Sequence, residues 1–548
     1  MAADGSETFD YVIVGSGAAG SVLAHRLTED GTTRVCVIEA GPRDWNPYIR
    51  IPAGFMKTFF NPRITFPFHS DAVAGAAGRR IHLPQGRVVG GSSSINGMLY
   101  SRGQRGDYDD WAARGNRGWG YLDVLPYFKR IESYLGPGDD HFRGRDGPLP
   151  VTVTDLRHPL CEVFMTGAQR LGLPANADYN GAAQDGVGYI QRTVHRGRRH
   201  SAAHVYLKPA MRRGQVSLRP GTMVTEILFD GGRVTGVRCM RGRDGQPETV
   251  HARREVILSA GPVNSAKLLQ LAGIGPAAVL RGLDIPVRHD LPAGENFRDH
   301  YGVRMVARVK GMRTLNEEVR GVPFLGQVVR WLTGRPSVLG VGPALVHWYW
   351  KSEPGLNASD FQGVFTPGSS REGVMGLLDE SPGLTLGVNQ HRPESIGWVR
   401  ARSHDPFADP EIQPNYLADP RDQRVLVSGL KIGREILGTP ELAPYVDRET
   451  IPGPDVNTDD EWLDFARRRG NTNYHLIGTC HMGPADDPAT VVDDSLRVRG
   501  VDGLRVVDAS VMPAMVSANT YAATLMIAEK ASDMIRGGPP LPRVEGVH

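Results

Sequence analysis

The chain is short of cysteine, of net charge and of long apolar runs, and each shortage removes a class of function. Its four cysteines (Cys36, Cys161, Cys239, Cys480) are scattered through 548 residues with no Cys-x-x-Cys pair, so dithiol chemistry and a cysteine-based zinc site are not expected. A reducing compartment suits such a chain. Lys and Arg number 63 against 60 Asp and Glu, which leaves no single-signed field of the kind that holds nucleic acid. No stretch approaches the roughly 18 apolar residues of a membrane span. Residues 1–7 are polar and lack the basic and apolar regions of a secretory leader, so the expected location is cytoplasmic, with contact at a membrane surface as the alternative. Neither G-x-S-x-G nor G-x-x-x-x-G-K-[ST] occurs, which argues against nucleophile-elbow hydrolases and P-loop enzymes. His200 and His204 have zinc-helix spacing, but no glutamate lies between them to act as base, and no metal site is expected.

What is present begins at the N-terminus. Phe9 to Val14 is a β-branched and aromatic run that meets Gly15-Ser16-Gly17-Ala18-Ala19-Gly20, and Ala19, Val22, Leu23 and Leu27 follow with helical spacing. This is the G-x-G-x-x-G turn of a βαβ unit. The first glycine makes the turn, the second lets backbone approach a pyrophosphate, and the third lets helix pack on strand. A second strand, Arg34 to Ile38, runs into Glu39 and Ala40. A carboxylate there can accept hydrogen bonds from ribose hydroxyls and repels a 2′-phosphate. The pattern predicts dinucleotide binding and leaves FAD and NAD both open.

Three further segments narrow that choice. Gly86-Arg87-Val88-Val89-Gly90-Gly91-Ser92-Ser93-Ser94-Ile95-Asn96-Gly97 is dense in small residues whose backbone can lie against a flat ring. Continuing through Tyr100, Gly103 and Asp109, it resembles the first signature of the glucose-methanol-choline (GMC) family of FAD oxidoreductases. Gly261 to Leu269, with Gly273-Ile274-Gly275, resembles the second signature, departing from it at Ala266 and Ala272. Tyr474 to Gly483, Leu504 to Ser510 and Val516 to Thr520 resemble the family's catalytic segment. The flavour is that of bacterial choline and alkyl-alcohol dehydrogenases. The resemblance implies an α/β fold in which a discontinuous Rossmann-like FAD domain (8–151, 216–300 and 485–540) carries an inserted α+β substrate domain on a mainly antiparallel sheet (152–215 and 301–484).

It also implies the chemistry. Oxidising an alcohol on a flavin requires a base for the hydroxyl proton while the carbinol hydrogen leaves as hydride, and imidazole is neutral yet basic near physiological pH. By resemblance His475 is that base and Asn519, 44 residues later, hydrogen-bonds the substrate oxygen. His481 falls at a variable position. Contacts to the cofactor are carried over to Gly91, Ser92, Val88, Asn96, Gly97, Met98, Leu99, Val224, Tyr474, Asp508, Ala509 and Thr520. Relatives that bond FAD covalently use a histidine where this chain has Ile95, so a non-covalent cofactor is expected.

The substrate region is less explicit. Residues 322–346 are rich in Val, Leu, Pro and Gly, include Phe324 and Trp331, and lead to Trp348, Tyr349 and Trp350. Such a stretch suits core packing, a cover over the site, or a membrane surface. Choline enzymes of the family carry a Ser-Asn-x-x-Glu run where this chain reads Gly342 to Val346. An uncharged primary alcohol is therefore expected, aliphatic or aromatic, with a quinone or dye as acceptor in preference to oxygen. The alternatives are a choline-type dehydrogenase, an alcohol oxidase, a redox-neutral lyase that cleaves hydroxynitriles or decarboxylates, and a flavoprotein without catalysis.

Overall fold

The computed structural model describes residues 7–371, 378–484 and 486–547; most of the polar start of the chain lies outside the described residues. Glu7–Val14 forms a strand, turns into helix Ala18–Leu27, and returns as strand Val35–Glu39. Val12, Ile13 and Val35 to Ile38 are almost solvent-free, as are Ala19, Val22, Leu23, Ala24 and Leu27 of the helix. Strands this apolar are covered on both faces, as in parallel sheets.

That sheet runs Val216–Pro220, Val35–Glu39, Glu7–Val14, Pro247–Leu258, each pair parallel. Pro247–Leu258 has two kinds of neighbour. Its first half pairs antiparallel with Arg233–Met240, which itself pairs with Met223–Asp230; its second half pairs parallel with Leu504–Val506. One sheet is thus assembled from three regions distant in sequence. Helix Thr520–Arg536 packs on Ala18–Leu27 and is buried from Tyr521 to Ser532, the all-round burial of a central helix. Its Glu529 accepts from Arg26 Nε at 2.9 Å and Tyr206 Oη at 3.0 Å, and pairs with Arg130 Nε at 2.7 Å. A buried carboxylate left without such partners costs about 3–5 kcal/mol, so this cluster fixes the helix against the sheet.

The second large sheet is antiparallel throughout. Its order is Val446–Ile451, Tyr301–Val309, Gly383–Gln390, Phe361–Thr366, Val346–Trp350, Gly186–Tyr189, with Asn471–Thr472 pairing beside Val446–Ile451 on Tyr301–Val309. Helix Pro420–Leu437 covers one face. The apolar stretch 322–350 splits in two. Val346–Trp350 is a core strand with Trp348 and Tyr349 buried, whereas helix Gly321–Leu332 has no buried residue at all.

Candidate active site

A cavity of about 1160 Å³ lies between the two sheets. On one side are the carboxyl ends of the parallel strands, at Val14, Ile38, Glu39, Ser259 and Asp508. These ends are where ligands bind in open α/β sheets. On the other side Gly302, Arg304 and Val306, Gln362, Val364 and Thr366, and Thr385, Gly387 and Asn389 line it. These residues alternate with period two, so one face of the antiparallel sheet forms most of that wall, with Val303 and Val388 joining it. The volume exceeds the roughly 300–1,000 Å³ of an ordinary small-ligand pocket, which suits a dinucleotide with a small molecule beside it.

Three helices begin at the cavity: Ala18–Leu27, Gly261–Leu271 and Thr520–Arg536. None has an acidic residue in its first turn. Their free N–H groups and partial positive charge make the cavity receptive to anions. Gly15 (φ +102°) closes the first turn, and a Cβ there would lie 2.4 Å from the Ser259 carbonyl oxygen. A Cβ on Gly20 would lie 2.0 Å from the Gly15 oxygen, so helix and strand meet with no room for a side chain.

The residues expected from the sequence gather here, with three exceptions. Gly15, Gly17, Ala18, Ala19, Glu39, Ala40, Gly91, Ser92, Asn96, Gly97, Met98, Leu99, Val224, Tyr474, His475, Asp508, Ala509, Asn519 and Thr520 all line the cavity. Ser16, Gly20 and Val88 stand behind its wall. Ser16 donates to Glu39 Oε2 from both its amide (3.0 Å) and its hydroxyl (2.7 Å). Gly20 is the helix–strand contact, and Val88 packs in a small cluster with Ile49, Ile64 and Ile95. Ser16 is thereby a support for Glu39, whose Oε1 also accepts from the Gly41 amide at 2.8 Å. Burial raises the Glu39 pKa, and the Ser16 hydrogen bonds oppose that rise. Met98 (φ 62°) and Tyr474 (φ 65°) adopt left-handed backbone at the cavity wall, a strain that clusters at functional sites.

His475 is held by a chain of hydrogen bonds that decides its protonation. His300 Nε2 lies 2.6 Å from the His391 carbonyl oxygen, and His300 Nδ1 lies 2.9 Å from His475 Nδ1. A carbonyl only accepts, so His300 carries its proton on Nε2 and offers a lone pair at Nδ1. His475 must then donate from Nδ1, which leaves its Nε2 as a lone pair. Burial first, and His300 second, push the His475 pKa well below 6.5; burial lowers His300 to about 4. Both rings are neutral. Asp299 braces the loop, accepting from the His475 amide at 2.8 Å, Tyr416 Oη at 2.5 Å and Thr472 Oγ1 at 2.5 Å. None of His300, His391 and Asp299 was marked by spacing in the sequence.

Asn519 donates to that lone pair. Its Nδ2 is 2.9 Å from His475 Nε2, and its Oδ1 is buried without a hydrogen-bond partner among the described residues. Asparagine at a helix N-cap ordinarily bonds its own first turn, yet Asn519 occupies that position with no such bond. The side chain serves the cavity instead of the helix. Among the described residues no group of His, Cys, Asp and Glu could hold a metal ion. A glycine cradle, a carboxylate at the second strand's end and an orphaned amide oxygen fit FAD. Ile95 is buried and no histidine stands in its place. Acid precipitation of the holoenzyme is expected to release the flavin into the supernatant; flavin retained in the pellet would contradict a non-covalent cofactor.

GMC oxidoreductase family models match residues 9–302 and 393–528. The chain is 39% identical to human mitochondrial choline dehydrogenase over 99% of its own length and 92% of the relative's. It is 41% identical to an oxygen-dependent choline dehydrogenase of Sinorhizobium fredii, over 97% and 96%. Among solved structures, pyridoxine 4-oxidase from Mesorbium loti superposes with a TM-score of 0.87 at 31% identity, over 97% of this chain and 100% of that one. An FAD-dependent oxidoreductase from Chaetomium thermophilum gives 0.88 at 27%, over 96% and 99%. With both halves matched and relatives aligned end to end, the chain belongs to the GMC oxidoreductases, FAD enzymes that act on CH–OH groups.

Proposed function

We propose that this enzyme oxidises an uncharged primary alcohol to the aldehyde, with His475 as general base and Asn519 as the hydrogen-bond donor to the substrate oxygen. The observation that carries the reading is the His391–His300–His475 relay, which leaves a lone pair on the one nitrogen that faces Asn519 at the cavity. A hydroxyl placed between the two side chains gives its proton to His475 Nε2 and receives a hydrogen bond from Asn519 Nδ2. The amide then steadies the oxygen as negative charge develops. FAD, when bound, would supply the hydride acceptor for the carbinol hydrogen. Gly15 to Ala19 and the helix they open would hold its pyrophosphate, and Glu39 its ribose. The 91–99 loop, Ala509 and Thr520 would hold its ring. A quinone or dye is the expected acceptor of the electrons.

The low pKa of His475 has a kinetic consequence. A base is active above its pKa and lost below it, so kcat/KM should stay level as the pH falls through 6.5 and decline only beneath it. An acid limb centred above 6.5 would contradict a base held neutral by burial.

Charge supports an uncharged substrate. Among the described residues, the carboxylates on the cavity wall are Glu39 and Asp508. Both are engaged: Asp508 accepts from the Gly261 amide, Ser265 Oγ and the amide and hydroxyl of Ser510. Lys57, Arg79, Arg304, Arg320 and Arg371 are among the basic residues that share the wall. Gly342, Pro343 and Ala344, from the segment lacking the choline-type glutamate, line it as well. A desolvated quaternary ammonium needs a counter-charge, and the described residues of this wall offer cations in its place. The choline dehydrogenases among the chain's relatives make choline the competitor to test. Benzyl and medium-chain alcohols should exceed choline in kcat/KM by at least about tenfold, equivalent to ~1.4 kcal/mol; choline as the better substrate would overturn the reading.

A further inference from the structure

The helix Gly321–Leu332 buries none of its residues although most of them are apolar. A surface helix normally turns its apolar stripe to the core. This one has two stripes. Phe324, Val328 and Trp331 face inward; Phe324 lines the cavity, and Trp331 Nε1 donates to the Gly197 carbonyl oxygen at 2.7 Å. Val322, Leu325, Val329 and Leu332, spaced three, four and three apart, face outward and are 79%, 63%, 60% and 70% exposed. Tyr48 and Phe60 are exposed apolar residues that also line the cavity. Val319, Arg320, Phe324 and Leu339 line the same cavity, and the exposed Arg320, Tyr48 and Phe60 mark where it reaches the surface, beside the helix.

The charge on the segment that carries this stripe has one sign. From residue 319 to 350 the chain carries Arg320, Arg330 and Arg335 and no carboxylate or lysine. Arg198 lies over the Trp331 ring, 5.7 Å from its centroid. Of the described acids in adjoining segments, Glu380 is exposed beside Arg320, which donates to its backbone oxygen, and the others are occupied. Glu317 caps its own helix at Thr314, Glu318 accepts from Gln327, and Asp379 pairs with Arg308 at 2.6 Å. An outward apolar stripe flanked by arginines matches the two-part chemistry of a helix that lies in an anionic lipid interface, with apolar side chains among the acyl chains and basic ones at the head groups. No helix among the described residues is long and apolar enough to cross a membrane.

We propose that the 321–332 helix rests on an anionic lipid surface and holds the cavity mouth against it, so that a lipophilic alcohol or quinone enters from the bilayer. The entry of such molecules rests on the alcohol-oxidising reading; the docking itself does not, because it is measured without turnover. The holoenzyme should co-sediment with vesicles of phosphatidylcholine and phosphatidylglycerol at least tenfold more than with phosphatidylcholine alone, and less as ionic strength rises. Leu325→Asp combined with Val329→Asp touches no cavity residue. It should lower vesicle partitioning at least tenfold while the flavin spectrum and turnover of a water-soluble alcohol with a soluble dye stay unchanged. Arg335→Glu, an exposed single change, should weaken binding to the anionic vesicles selectively. Wild-type protein that ignores both vesicles would overturn the proposal. So would equal partitioning of wild type and variants, or a wild-type dimer in light scattering that the double variant turns into a monomer without any vesicle binding.

Discussion

His475→Ala is expected to slow anaerobic reduction of the flavin by an alcohol by about 10²- to 10⁴-fold, the usual worth of a positioned general base. FAD content should hold and thermal stability fall only modestly, by about 1–3 kcal/mol, because the imidazole bonds His300 and Asn519 through its ring while Asp299 grips the loop through the His475 backbone amide. The loss should appear in the rate of reduction more than in substrate affinity, since proton removal belongs to the transition state. His481→Ala supplies the control. Its ring sits 3.2 Å from the Gly478 carbonyl oxygen and does not line the cavity, so activity should remain near wild type. An unchanged reduction rate in His475→Ala would remove that residue from its role.

His300→Phe should have the second largest effect. The substitution keeps a ring in the buried space but removes the lone pair that accepts from His475 Nδ1. His475 then has no reason to keep its proton on Nδ1, and a proton on Nε2 would leave it unable to act as base. Stranding a buried donor costs about 1–3 kcal/mol, which corresponds to a fall in reduction rate of roughly ten- to a hundredfold. His300 is a positioning residue, acting through His475, and it does not line the cavity. The distinguishing readout is rescue: the side-chain carbonyl of His300→Gln can accept from Nδ1, and this variant should regain at least about tenfold over the phenylalanine. Equal losses in both, with normal FAD content, would contradict the relay.

The contrast between these two residues marks how far the sequence reaches. Local patterns were legible where chemistry depends on consecutive residues. The run from Phe9 to Val14, the glycine turn and Glu39 folded as one βαβ unit, because strand, turn and helix signals lie within about thirty residues and agree with each other. Asn519 and His475 were legible only through the resemblance, since 44 residues separate them. His300 was not, because it reaches His475 across 175 residues and a lone buried histidine has no periodic signal. Ser16 shows a finer failure. The glycine pattern places it on the loop but cannot say that both its amide and its hydroxyl turn back to brace Glu39.

The stretch from 322 to 350 failed for a different reason. Val, Leu, Pro and Gly dominate it throughout, so periodicity could not separate the segment that enters a sheet from the one that stays outside. Val346–Trp350 became a central strand because Phe361–Thr366 and Gly186–Tyr189 pair with both its edges. Gly321–Leu332 had no partner for its second stripe. Tertiary pairing, absent from any local window, decided which apolar residues were buried.

The account rests on a neutral imidazole and an amide meeting a substrate hydroxyl beside the flavin. The most direct test mixes the holoenzyme with benzyl alcohol in the absence of oxygen and follows the visible absorbance of the oxidised flavin. Complete bleaching, with one aldehyde formed per flavin, is the predicted result. Flavin that stays oxidised while the cavity demonstrably binds the alcohol would contradict it, and would point to a redox-neutral use of the same fold.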